Sequence, residues 1–111
     1  MKIRIAALSV AGALALLSAG ANAAIDDKKA TEIMNKAGCG ACHNVDKKLV
    51  GPSYKDVAKK RKGEKGAAVS LAKKVRQGGS GTYGQIPMPP TGAGQIADGD
   101  LKELIDWVLS K

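Results

Sequence analysis

Cys39-Gly40-Ala41-Cys42-His43 is the stretch of this chain on which both the fold and the chemistry turn. The pattern C-x-x-C-H is the attachment site of a c-type haem, in which two thiols are alkylated by the porphyrin vinyl groups and the next imidazole takes the iron. The chemistry explains the spacing. Two cysteines three apart on one turn of chain can reach vinyl groups on neighbouring pyrroles, and a histidine directly after the second is delivered to the iron from the same side. Other uses of two cysteines fit less well. A thioredoxin-like C-x-x-C sits at the end of a strand in a βαβ unit, and no strand-like run flanks Cys39. A structural zinc site takes four ligands, whereas the chain has two cysteines and one histidine. A disulfide between Cys39 and Cys42 suits an exported protein but leaves His43 without a role. The motif therefore predicts one covalently bound haem c, with its iron.

The N-terminus is consistent with that cofactor. Lys2 and Arg4 precede an apolar run from Ile5 to Leu17, followed by Ser18-Ala19-Gly20 and Ala21-Asn22-Ala23. That is the charged, apolar, small-residue order of a secretory signal peptide, with an A-x-A site predicting cleavage after Ala23. The run is short and alanine-rich for a membrane span, so no stable membrane insertion is expected. Residues 1–23 are read as a cleaved signal peptide and residues 24–111 as one exported, periplasmic domain. With no Phe, two Tyr and one Trp, that domain has a thin apolar core, and chains of this size usually need a staple. A buried, covalently attached haem is such a staple.

Charge is read on the mature segment. The whole chain has 18 Lys+Arg against 10 Asp+Glu, and removing Lys2 and Arg4 leaves 16 against 10, a net +6. A basic balance can signal nucleic acid, but export and scarce stacking aromatics argue against it. An acidic protein partner or an anionic membrane surface fits better.

Outward from the motif, the elements read as helices. Asp26 and Asp27 open a segment whose apolar residues Ala30, Ile33, Met34 and Ala37 share one helical face, and Gly38 ends it. Asn44 to Gly51 reads as a loop ending in Gly51-Pro52. Ser53 is an N-cap for a short helix through about Lys62, with Tyr54, Val57 and Ala58 on one face. From Ala67 to Gln77 the positions Ala68, Leu71, Ala72 and Val75 again run at spacings of 3 and 4, closed by Gly78-Gly79. Gly78 to Gly99 is irregular, with seven glycines and three prolines, and a loop of that length is normally functional or disordered. Leu101, Leu104, Ile105, Val108 and Leu109 form a last amphipathic helix, with Trp107 beside its apolar stripe. No segment alternates like a strand. The fold class is all-α, with about four short helices.

A haem iron takes six ligands, four from the porphyrin and one from His43, and the sixth decides function. The candidates are Met34 and Met88, since Met1 leaves with the signal peptide. Met34 lies on the apolar face of the first helix, where methionine usually fills core. Met88 sits in Ile86-Pro87-Met88-Pro89-Pro90, where prolines on both sides cut the freedom of the loop and lower the entropy lost in placing a thioether.

At these residues the sequence resembles the small class I c-type cytochromes of the bacterial periplasm, the cytochrome c-551/c-552 group. The resemblance rests on Cys39-Gly40-Ala41-Cys42-His43, Val50-Gly51-Pro52-Ser53-Tyr54-Lys55-Asp56-Val57-Ala58, Gly81-Thr82-Tyr83-Gly84-Gln85-Ile86-Pro87-Met88-Pro89-Pro90 and Trp107-Val108-Leu109-Ser110. It implies the small class I cytochrome c fold around a covalent haem, with Cys39 and Cys42 as thioether links and His43 and Met88 as axial iron ligands. It further implies that the Pro52 carbonyl meets the other ring nitrogen of His43. The group often has Trp where Tyr83 stands and Arg where Lys74 stands, both near a haem propionate, and an aromatic residue near Arg61. The link from Met88 to the last helix is somewhat longer here, with extra residues among Thr91 to Gly94 that should alter that edge more than the iron.

His/Met ligation fills the iron and favours its reduced state. The implied function is therefore a soluble, monomeric one-electron carrier and not an enzyme, exchanging electrons with redox protein partners. A cytochrome complex as donor and a nitrite reductase or terminal oxidase as acceptor are the partners the resemblance implies. Lys36, Lys47, Lys48, Lys73 and Lys74 are candidates for a ring around the haem edge that steers acidic partners, against the plainer reading of solvated charge. The run Lys59-Lys60-Arg61-Lys62 reads as a solvated face. The competing readings are a haem enzyme or gas sensor with an open sixth site, and a haem subunit that works only inside a larger complex.

Overall fold

The structure is a computed structural model and describes residues 24–111. The segment read as a signal peptide, residues 1–23, lies outside the described residues. Among the described residues four α-helices follow one another: α1 (Asp27–Ala37), α2 (Tyr54–Arg61), α3 (Ala67–Gln77) and α4 (Asp98–Leu109). One turn of 3-10 helix, Cys39–Ala41, follows α1 directly. Among the described residues there is no strand, only two isolated antiparallel bridges, His43 with Lys48 and Gly79 with Met88. No helix among them is long and apolar enough to cross a membrane.

Local chemistry accounts for the helix ends. The Asp26 carboxylate accepts from the Lys29 amide (2.8 Å) and caps α1, while Gly38, at φ 78°, turns the chain out of it. Ser53 Oγ accepts from the Asp56 amide (3.1 Å) and caps α2. α4 has no side-chain cap, but Asp98 and Asp100 place negative charge in its first turn.

The apolar faces of α1, α2 and α3 all pack onto α4. The core joins Ala30, Ile33 and Met34 of α1, Tyr54 and Val57 of α2, and Leu71 of α3 to Leu101, Leu104, Ile105, Trp107 and Val108 of α4. Two residues differ from the sequence reading. Trp107 does not sit beside the stripe but inside the core, 5% exposed, because α4 is covered from three directions and its buried arc is wider than one stripe. Its indole N–H donates to the Asp27 carboxylate (3.0 Å), and the Lys111 ammonium lies over its ring, 4.3 Å from the centroid. Ile96 is also core, although it belongs to the glycine- and proline-rich stretch.

That stretch is ordered by specific bonds. The Thr91 amide donates to the Val75 carbonyl (2.9 Å), and Arg76 donates to the Thr91 carbonyl (3.2 Å) and to the Asp98 carboxylate (2.6 Å). Thr91 is buried, and the Gln95 and Ile96 amides close a turn on the Gly92 carbonyl. The extra residues are thus a folded turn between α3 and α4.

Candidate haem site

The motif occupies the 3-10 turn that Gly38 makes possible. The amides of Cys42 and His43 both donate to the Cys39 carbonyl (3.2 and 3.0 Å), which wraps the two thiols and the imidazole around one turn. Both cysteines are half-buried and not joined to each other. Burial pushes the Cys39 thiol above its ordinary pKa.

His43 is held on two sides. Its Nδ1 lies 2.9 Å from the Pro52 carbonyl oxygen. A carbonyl only accepts, so Nδ1 carries the proton and Nε2 keeps its lone pair for a metal. The approach depends on Gly51: a Cβ there would stand 2.6 Å from His43 Cε1 and 3.0 Å from Nδ1. The loop is drawn in by the Gly51 amide donating to the Cys42 carbonyl (2.8 Å) and the Tyr54 amide donating to the Asn44 carbonyl (2.9 Å). Tyr54 then stacks on the imidazole, with centroids 5.3 Å apart and planes 19° from parallel, and meets Trp107 edge-on at 5.9 Å. Burial, and next the nearby Cys39, push the Tyr54 hydroxyl far above the ordinary phenol range, so the stacking ring is neutral.

Met88 comes from the other long loop. Its amide donates to the Gly79 carbonyl (2.9 Å) and its carbonyl accepts from the Gly79 amide (3.0 Å), a two-bond clasp between the end of α3 and the proline segment. Met88 lines the same cleft as Cys39, Cys42 and His43, whereas Met34 does not and is 8% exposed within the core.

The cleft has a volume of about 480 Å³. Its walls are Leu71 and Val75 of α3, Ile96, and Leu101, Leu104, Ile105 and Val108 of α4, and its lining includes Lys48, Lys74, Ser80, Thr82 and Tyr83. Among the described residues no Asp or Glu lines it. Apolar walls suit a flat macrocycle, and cationic and hydroxyl groups without a protein carboxylate suit the two carboxylates a haem brings. Among the described residues, no three His, Cys, Asp or Glu side chains gather as a site for a bare metal ion. The donor set fits a haem.

Lys48 and Lys74 line the cleft; Lys36, Lys47 and Lys73 do not. The run Lys59-Lys60-Arg61-Lys62 is not simply a solvated face. Lys60 donates to the Thr82 carbonyl (3.0 Å), and its ammonium lies 5.0 Å from the Tyr83 ring centroid. Arg61, whose side chain is only 15% exposed, donates through Nε to the Tyr83 hydroxyl (3.4 Å) and through Nη1 to both Glu64 oxygens (3.2 and 3.1 Å). The loop bearing Tyr83 folds back onto the end of α2 and covers what a run of four basic residues reads as open surface.

The residues 28–111 match the family model described as Cytochrome c. A cytochrome c2 from Rubrivivax gelatinosus is 49% identical over 78 residues, 70% of this chain and 92% of the relative. A cytochrome c-551 from Stutzerimonas stutzeri is 42% identical over 109 residues, 98% of this chain and 96% of the relative. Among solved structures, Nitrosomonas europaea cytochrome c552 superposes with a TM-score of 0.66 at 45% identity, covering 72% of this chain and 96% of that one. The class 1 cytochrome MtoD from Sideroxydans lithotrophicus ES-1 superposes with a TM-score of 0.68 at 34% identity, covering 78% and 97%. With the C-x-x-C-H turn and the apolar cleft beside it, these likenesses make the chain a member of the cytochrome c family: a class I, small monohaem electron carrier, not an enzyme, bearing one covalently bound haem c.

Proposed function

We propose that the chain is exported, loses residues 1–23, and works in the periplasm as a monomeric one-electron carrier whose iron is closed by His43 and Met88. The observation that carries this reading is the pairing, in one cleft, of an imidazole fixed in the Nε2-ligating tautomer and a thioether clasped by the Gly79 backbone. The haem supplies a one-electron ferric/ferrous couple. Cys39 and Cys42 are the thioether links. His43 would hold the iron through Nε2, its ring oriented by the Pro52 carbonyl as partners of ligating histidines do. Met88 would supply the thioether that closes the iron, leaving no open site for small molecules. The apolar walls exclude water, and the clasped loops need little rearrangement when the charge changes.

Tyr83 and Lys74 line the cleft and would offer a hydroxyl and an ammonium to the haem carboxylates. Lys48 and Lys74 give its mouth positive charge, which favours brief, salt-sensitive docking of acidic redox partners. A cytochrome complex as donor and a nitrite reductase or terminal oxidase as acceptor fit this chemistry. The periplasmic address rests on the charged, apolar and A-x-A order of residues 1–23.

Carbon monoxide tests the closed site. The ferrous protein at neutral pH should not bind it, whereas Met88→Ala should bind it stoichiometrically. Rapid stoichiometric uptake by the unmodified protein, or an unchanged spectrum in Met88→Ala, would refute the ligand pair.

A further inference from the structure

The basic run at the end of α2 joins the rim of the cleft through a single side chain. Arg61 is fixed from behind by Glu64, which takes its Nη1 in a two-oxygen fork, so that Nε is turned to the Tyr83 hydroxyl. Lys60 holds the neighbouring Thr82 carbonyl, and the Gly81 amide closes on the Gly84 carbonyl (2.7 Å), so Thr82 and Tyr83 form the tip of a tight turn. Two elements 22 residues apart are thereby locked at the tyrosine.

The direction of these bonds has a chemical consequence. A guanidinium only donates, so the Tyr83 oxygen is the acceptor and its own proton remains free to be given elsewhere. Tyr83 lines the cleft, and among the described residues no Asp or Glu does. A haem held there would bring two carboxylates as acceptors. A hydroxyl that accepts from a cation is polarised into a stronger donor, and the side chain behind it is mostly shielded from water.

We propose that Arg61 is a positioning residue for the haem: held by Glu64, it aims the Tyr83 hydroxyl at a haem carboxylate and thereby holds the couple at a higher potential. The sign follows from charge. Drawing charge off a carboxylate through a hydrogen bond and placing a cation behind that bond both disfavour the ferric state, which carries one more positive charge. The inference rests on Tyr83 facing a haem carboxylate, and the test separates the two.

Midpoint potentials are measured by redox titration of the haem-loaded protein and of Arg61→Gln, Tyr83→Phe and the double variant, after confirming that haem stays attached on denaturation. Arg61→Gln and Tyr83→Phe should each raise the ferric-to-ferrous ratio at fixed potential at least twofold, a downward shift of about 18 mV at 59 mV per tenfold. The double variant should shift by less than the sum, because both remove one relay. If Tyr83→Phe shifts the potential and Arg61→Gln does not, Arg61 has no such role, whatever its effect on stability. If neither shifts it, the placement of Tyr83 fails as well. Additive shifts would refute action through the hydroxyl. Arg61→Phe, which puts the aromatic type of the resembling group near this position, serves where Arg61→Gln does not accumulate, and a parental potential in it overturns the proposal.

Discussion

Replacing Gly78 with alanine should loosen the Met88 clasp while leaving the four helices in place. Gly78 has φ 68° and ψ −158°, a region that is essentially glycine-only, where another residue costs about 1–3 kcal/mol. A Cβ there would also collide with the Met88 carbonyl oxygen and stand 2.8 Å from the Pro90 nitrogen and 3.0 Å from the Pro89 carbonyl carbon. All three are backbone atoms, so no side chain can swing away. Relief requires the proline segment to move, and that breaks the two Gly79–Met88 hydrogen bonds at about 1 kcal/mol each. The penalty is therefore roughly 3–5 kcal/mol, concentrated on the loop that presents the thioether. The assay is the far-red methionine–iron charge-transfer absorption of the ferric protein, read beside carbon monoxide uptake by the ferrous protein. Gly78→Ala should weaken the first and permit the second. Gly92→Ala is the control, since Gly92 has no positive φ and nothing within 4 Å of its Cβ position. A Gly78→Ala protein with the parental absorption and no carbon monoxide uptake would refute the reasoning.

Two other perturbations test the fold. The Trp107 indole, and next Lys111, hold the Asp27 carboxyl below its ordinary value of 3.8; the unfolded chain therefore binds more protons in acid, so this contribution is full above about that value and is lost as pH falls through the lowered one. The stability gap between the parent and Asp27→Asn should be constant near neutrality and close below about pH 4, measured by urea unfolding across pH, and a gap independent of pH would exclude the carboxylate as its source. Leu104→Ala, at a core residue that also lines the cleft, should cost about 2–5 kcal/mol in the urea midpoint of the haem-loaded protein, and a cost under about 1 kcal/mol would mean that this wall is not packed.

The helices were legible because each announces itself within its own few residues. Ala30, Ile33 and Met34 recur at helical spacing, Ser53 offers a hydroxyl where α2 must start, and Gly38 supplies the positive φ where α1 must stop. Such signals need no knowledge of what lies across the core. The misplacement of Trp107 has the opposite origin. A single stripe describes a helix that meets one neighbour, whereas α4 meets three, and its buried arc extends to a residue whose indole then needs Asp27, 80 positions earlier, as its acceptor. Ile96 escaped for a similar reason: a lone β-branched residue among glycines and prolines has no periodicity, and its burial depends on Arg76 and Thr91 folding the turn beneath it.

The site divides along the same line. Cys39, Cys42 and His43 share one turn, so their joint chemistry is written in five residues, and the prolines beside Met88 mark a stiffened loop. What the imidazole needs from Gly51 is a different matter, because the absence of a Cβ has meaning only once His43 lies against it. Arg61 is the extreme case. In a run of four basic residues its neighbours argue for solvent, although its spacing of four from Val57 and seven from Tyr54 puts it on their face of the helix. Only the return of the chain 22 residues later, with the Gly81–Gly84 turn bringing Tyr83 over it, converts a surface cation into one that is mostly covered and bonded to the cleft lining. A charge run at the end of a short helix is therefore weak evidence for solvation when a glycine-rich loop follows, since such loops need cations and amides to close upon.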